Sequence, residues 1–182
     1  MQQPSRAARE PFSIICLSSQ LWDAPLPTNR QQIMVRAARR GHRVLFVETG
    51  DFLGKHVWRG GGRARKVLAP APVEPNIHVA KLANVLPWSQ RFGVSNRVNW
   101  LVGSRLLRRA AQSLPEPRVL WIYDPRGADA IGLFGETFAV YDCVDDYPHQ
   151  AGSTKGRALL AQLDHAAAAR SRLVFATTES LA

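Results

Sequence analysis

Cysteine is scarce: the 182 residues hold two, Cys16 and Cys143. Both lie in or beside apolar runs, so they read as reduced core thiols rather than a disulfide or a metal site. No apolar run approaches the roughly 18 residues that a membrane-spanning helix needs. Residues 1–10 are polar and basic, with no apolar run behind them long enough for a signal peptide. The expected compartment is therefore cytoplasmic, with residues 1–11 a disordered leader to one domain over 12–182. Phosphate motifs are missing too. No G-x-G-x-x-G follows the first apolar run, and neither G-x-x-x-x-G-K-[ST] nor G-x-S-x-G occurs. Those absences argue against a dinucleotide fingerprint, a phosphate loop and a hydrolase elbow. The five histidines show no metal-ligand spacing, so no metal and no cofactor are expected.

Lysine is rare as well, four of the 24 Lys and Arg, so arginine carries the +10 net charge. Residues 1–66 hold 12 cations against 4 carboxylates, a balance of +8, whereas residues 67–182 hold 12 against 10, a balance of +2. A positive field in the first third suits an anionic partner, and arginine forks suit phosphate. Between Asp51 and Pro75 the chain reads as irregular. It carries Gly60, Gly61 and Gly62, with Arg59, Arg63, Arg65 and Lys66 beside Phe52 and Trp58. That stretch is either a solvated loop or a basic-aromatic surface for peripheral contact with an anionic membrane. Aromatic-basic interleaving is thin elsewhere, so no nucleic acid is expected.

What is present is an alternation of strands and helices. Apolar runs at 12–18, 43–48, 76–82, 118–123, 137–142 and 172–177 read as strands. Thr28 to Gln31 is a capping box that opens a helix burying Ile33, Met34, Ala37 and Ala38, and Gly41 stops it. A second helix is expected over 95–113 with Val98, Leu101, Val102, Leu106 and Ala110 inward. Its arginines at 97, 105, 108 and 109 form a solvated face. A brief helix is expected over 128–134 and another over 155–170. The pattern implies a Rossmann-like, doubly wound parallel sheet of about six strands.

Parallel strands bring the segments after their carboxyl ends to one edge, where open α/β sheets bind ligands. The richest such segment is Thr137 to His149, where an apolar run breaks into Asp142, Asp145 and Asp146. Each aspartate alone could be a turn residue. As a cluster, Asp145 and Asp146 are candidate general bases, each close enough to raise the other's pKa. Asp142 still belongs to the strand. Trp22, Asp23, Asn29, Arg30, Glu48, Asp124, Arg126, Asp142, Tyr147 and His149 are the candidate substrate contacts at the same edge. His149 would orient a phosphate or act as the base itself.

Four segments together, P-T-N-R-Q-Q, A-R-R-G-H-R-V-L-F-V-E, V-Y-D-C-V-D-D-Y and the terminal A-T-T-E-S-L-A, resemble the amino-terminal domain of GT-B glycosyltransferases. The likeness is to bacterial enzymes of cell-surface polysaccharide synthesis, the teichuronic-acid-type transferases among them, and it covers roughly residues 12–182. It implies the acceptor-side half of a two-domain enzyme that moves a sugar from a nucleotide-sugar co-substrate to a polysaccharide or lipid-linked acceptor. The nucleotide-sugar domain lies outside this chain, so the chain alone is expected to be inactive. The Gly-rich turn of many relatives is replaced by Ser18 to Trp22. The alternative is a non-catalytic nucleotide- or phospho-ligand-binding α/β module.

Overall fold

A computed structural model describes residues 10–52 and 70–177. The leader over 1–9, the stretch 53–69 with Trp58 and its arginines, and the end over 178–182 lie outside the described residues. The elements are β1 (Ser13–Ser18), α1 (Asn29–Arg39), β2 (Arg43–Phe52), β3 (Ala71–Glu74), β4 (Ile77–Asn84), α2 (Gly93–Gln112) and β5 (Arg118–Ile122). A 3-10 turn (Pro125–Ala130), β6 (Phe138–Cys143), the single-turn α3 (Tyr147–Gln150), α4 (Thr154–Arg170) and β7 (Leu173–Ala176) complete the chain. They build one sheet in the order β3-β4-β2-β1-β5-β6-β7. Without β3, its parallel strands run 3-2-1-4-5-6 in chain order, the doubly wound arrangement whose ligand crevice opens where the order reverses.

Two expectations about elements need correction. The stretch before Pro75 is not wholly irregular: β2 continues to Phe52, and β3 adds a seventh, antiparallel strand against β4. The cause is the turn Glu74-Pro75-Asn76-Ile77. Proline presets its first corner, and Asn76 supplies the left-handed second one at φ 66°. The helix expected over 128–134 is instead the 3-10 turn beginning at Pro125, because the Asp124 carboxylate accepts from the Arg126 amide and winds the chain earlier.

The apolar alternation explains the layering. Ile14, Cys16, Phe46 and Tyr123 face α1, packing on Met34 and Ala38. Ile15, Leu17, Leu120, Ile122 and Tyr141 face the other way, under Trp100 and Leu107 of α2 and Leu163 of α4. Each such Ile or Leu contributes roughly 1.5–3 kcal/mol, and a one-residue slip would send it to the wrong face, so the register is firmly set. Both cysteines are buried and free. The helix stop at Gly41 is as expected: φ is +92°, and its amide reaches the Ala38 carbonyl at 3.0 Å.

The inward face of α2 is not the expected one. It buries Asn96, Asn99, Trp100, Gly103, Ser104, Leu107 and Ala111, while Val98, Leu101 and Val102 are half-exposed and Leu106 is exposed. The inward asparagines are occupied by loops. Asn99 accepts from the Leu86 amide at 2.8 Å and donates to its carbonyl at 3.0 Å. Asn96 donates to the Arg126 carbonyl at 3.0 Å and to Asp129 at 2.7 Å. Gly103 faces Leu82 so closely that a Cβ would lie 2.3 Å from its Cδ1, so only glycine allows this approach. The arginines at 97, 105, 108 and 109 are exposed, as read from the sequence.

Candidate functional site

The register assembles the site. Ser18 pairs with Glu48, Leu17 with Ile122, and Ile122 with Tyr141. One residue beyond that pairing, Glu48, Ser18, Tyr123 and Asp142 form a polar row across four strands at their carboxyl ends, on the face that α1 covers. The apolar rows end there, and the loops begin.

Arg30, in the first turn of α1, is buried against this row. Its Nη2 donates to the Tyr147 hydroxyl at 2.8 Å and pairs with Asp145 at 3.3 Å. Nη1 lies 3.5 Å from Ser19 Oγ, and the guanidinium sits 5.5 Å from the centroid of the Tyr123 ring, a cation–π distance. Nε has no acceptor among the described residues. Next to it, Gln31 accepts from the Thr28 amide at 2.9 Å and donates to the Leu21 carbonyl at 3.0 Å. The N-R-Q-Q segment thus places two polar side chains inward, and each holds a loop.

The carboxylates differ in environment. Asp142 is buried and accepts from Trp121 Nε1 at 3.3 Å. Burial lifts its carboxyl above the usual range, against the hydrogen bond from Trp121 and the charge of Arg30. Asp146 is exposed, caps α3 by accepting from the His149 amide at 3.2 Å, and meets His149 Nδ1 at 2.6 Å. That bond to His149 holds the Asp146 carboxyl below its ordinary range. The expected elevation of Asp146 is therefore corrected: His149 takes its carboxylate and lowers it, whereas burial raises Asp142.

Asp124 and Arg126 form a clamp within their own turn. Arg126 Nε donates to Asp124 at 2.8 Å, Nη2 makes a second close bond, and the backbone amide a third at 3.0 Å. Tyr147 lies nearby, its hydroxyl pKa pushed up to about 12 by burial and then by the Asp124 charge. Beside the clamp a cavity of about 320 Å³ is lined by Gln90, Arg91, Arg126, Tyr147, Gln150 and Ser153, with Gly156 and Leu160 of α4 closing it. Ser153 caps α4, accepting from the Gly156 amide at 3.1 Å.

The structure thus brings Arg30, Asp145 and Tyr147 into contact and joins Arg126 to Tyr147 through the cavity. It sets Glu48 apart, where its carboxylate accepts from the Trp22 amide at 2.5 Å and pairs with Lys81 at 3.4 Å. The Trp22 ring packs edge-on against Phe46, 5.1 Å between centroids, and Asp23 and Asn29 are exposed. Sequence reasoning missed Tyr123, Trp121 and the Gln90-Arg91 corner. Strand alternation could have found the first two: Trp121 pairs with Val140, Tyr123 comes two residues later, and both lie on the face that Asp142 shares. Gln90 and Arg91 carry no local signal.

No family model matches the sequence, and no curated protein matches it. A solved structure described as trehalose-6-phosphate from E. coli bound with UDP-2-fluoro glucose superposes with a TM-score of 0.50 at 15% identity. The match covers 92% of this chain and 40% of that one, so this chain spans well under half the length of the structure it resembles. The likeness is one of fold, a Rossmann-like half-domain of the GT-B architecture.

Proposed function

We propose that the chain is the acceptor-side half of a glycosyltransferase that moves a sugar from a nucleotide-sugar donor to a polysaccharide or lipid-linked acceptor in cell-envelope synthesis, at the cytoplasmic membrane face. The observation that carries the reading is the cavity of about 320 Å³ at the carboxyl edge of the sheet, lined by Arg126, Tyr147, Gln150 and Ser153. Its size suits a sugar ring with polar neighbours. The GT-B likeness of fold, and the UDP-2-fluoro glucose bound by the matched protein, support a nucleotide-sugar as the donor.

The Asp146–His149 pair supplies a proton acceptor beside the cavity, since each precedes a lining residue, Tyr147 and Gln150. Asp146 holds Nδ1, so the neutral ring presents Nε2 as the base. In a direct displacement, Nε2 takes the proton of the acceptor hydroxyl as its oxygen bonds the anomeric carbon. The bond from that carbon to the nucleoside diphosphate breaks, and the diphosphate leaves with the electron pair. Asp146, held below its ordinary pKa, orients the base rather than serving as one. Asp145 is held by Arg30, and a contact from its half-exposed carboxylate to the acceptor is part of the same proposal.

Two measurements test this. Saccharides titrated into the chain should bind, and Arg126→Gln should weaken them at least tenfold. Nucleotide bound without saccharide would instead favour the phospho-ligand module. In a protein joining this chain to a donor-side domain, His149→Gln and Asp146→Asn should each cut turnover by about 10²–10⁴-fold with folding preserved. Normal rates in both would remove the dyad from the reaction.

A further inference from the structure

The loop between β4 and α2 and the first turn of α2 expose large apolar side chains close together in sequence. Trp88 is 66% exposed, Phe92 53% and Val94 76%, with Leu86 at 37%. This display is built rather than frayed. Asn99 grips both backbone groups of Leu86 from inside the fold. The Trp88 carbonyl accepts from the amides of Arg91 at 2.9 Å and Phe92 at 3.1 Å. Trp88 itself is held at φ 56°, a backbone region that bulky residues avoid.

The outward side of α2 continues the same surface. Val98, Leu101 and Val102 belong to neither core cluster, and Leu106 is exposed. Exposed Arg97, Arg105, Arg108 and Arg109 lie among them. From Pro75 to Pro115 the sequence has six cations, counting Lys81 and Arg91, and no Asp or Glu. The helix is 20 residues long, or about 30 Å. One surface therefore combines aromatic and aliphatic side chains in a loop, an apolar stripe on a helix, and positive charge free of local carboxylates.

We infer that the loop over 85–92 and the outer face of α2, from Val94 on, dock on an anionic lipid bilayer. The arginines meet the head groups while Trp88, Phe92 and Val94 enter the interface, the arrangement of an in-plane amphipathic segment. Nucleic acid would pair the arginines but leave Val94 and Leu106 in water. A second copy of the same surface would set its arginines against one another. Gln90 and Arg91 belong both to this loop and to the cavity wall, so docking would bring the cavity to the membrane plane. The inference rests on the membrane-face part of the transfer reading, but the two fail separately, since vesicle binding measures the surface and saccharide binding measures the cavity.

Sedimentation with vesicles tests it. The chain should pellet with phosphatidylglycerol–phosphatidylcholine vesicles at low salt, less at high salt, and not with phosphatidylcholine alone. Arg105→Gln with Arg109→Gln should lower affinity about twenty-five-fold, at roughly fivefold per arginine. Trp88→Ser with Phe92→Ser should lower it at least tenfold and leave the salt dependence in place. All four side chains are exposed, and circular dichroism checks that both variants fold. Equal binding to both vesicle types, no binding to either, unchanged binding in both variants, or tighter binding to duplex DNA than to vesicles would each overturn the inference.

Discussion

Arg30 and Tyr147, 117 residues apart in sequence, meet in a buried hydrogen bond of 2.8 Å. The contact joins the first turn of α1 to the segment after β6, and Tyr123, one residue past β5, lies beneath the same guanidinium. One side chain thus fastens three carboxyl-edge loops. Arg30→Met should fold but lose about 2 kcal/mol, the scale of hydrogen bonds to a charged group. The loss stays modest because Asp145 is half-exposed and rehydrates, and because Nε is unpaired already. For a domain of this size that is a fall of about 5 °C in melting temperature. Arg30→Lys should not rescue it, since an ammonium cannot span the fork. An unchanged melting temperature for Arg30→Met would mean that the network adds nothing to stability.

Asp142 gives the fold a pH dependence with a definite sign. Burial raises its folded pKa above the unfolded one, so the folded state keeps the proton longer. Its contribution is full below about pH 4 and is lost as pH rises through the folded pKa, leaving the cost of the buried carboxylate at neutrality. Asp142→Asn keeps an acceptor for Trp121 and removes that charge. The melting-temperature difference, variant minus parent, should therefore be more positive at pH 7 than at pH 4. Equal differences at the two pH values would show that no linked proton resides there.

Much of this architecture was legible because parallel-sheet strands are near-continuous apolar runs, and Phe12 to Ser18 or Arg118 to Tyr123 offer no other reading. The edge location of Arg30, Arg126, Asp142 and Tyr147 followed from strand direction alone. Pairings did not follow. Nothing local distinguishes Asp145, bound to Arg30 across 115 residues, from Asp146, bound three residues away to His149. The α2 error has a physical source too. The helix has two stripes at helical spacing, and the more apolar one faces outward. Asn96, Asn99 and Gly103 face inward because loop backbone and Leu82 need what they offer, which hydropathy does not record.

Asn99 offers the last test, because it ties the loop before α2 to the buried side of that helix. Its amide is buried and spans the Leu86 amide and carbonyl with bonds of 2.8 and 3.0 Å. Asn99→Ala removes both bonds. Leu86 is partly exposed, so water can replace them, and the cost should be about 1–2 kcal/mol rather than that of two stranded buried groups. The larger effect should be local. Without the grip the 84–92 segment gains conformations, and the left-handed backbone at Trp88 has less to hold it. Hydrogen exchange should show faster exchange at Leu86 and through Phe92, with the strands of the sheet unchanged. Vesicle affinity should fall a few-fold, because ordering the loop at the interface then opposes binding. If exchange at Leu86 is unaltered, the asparagine does not hold the loop. If exchange rises while vesicle binding is untouched, the loop's order is irrelevant to docking, and its exposed side chains act without being positioned.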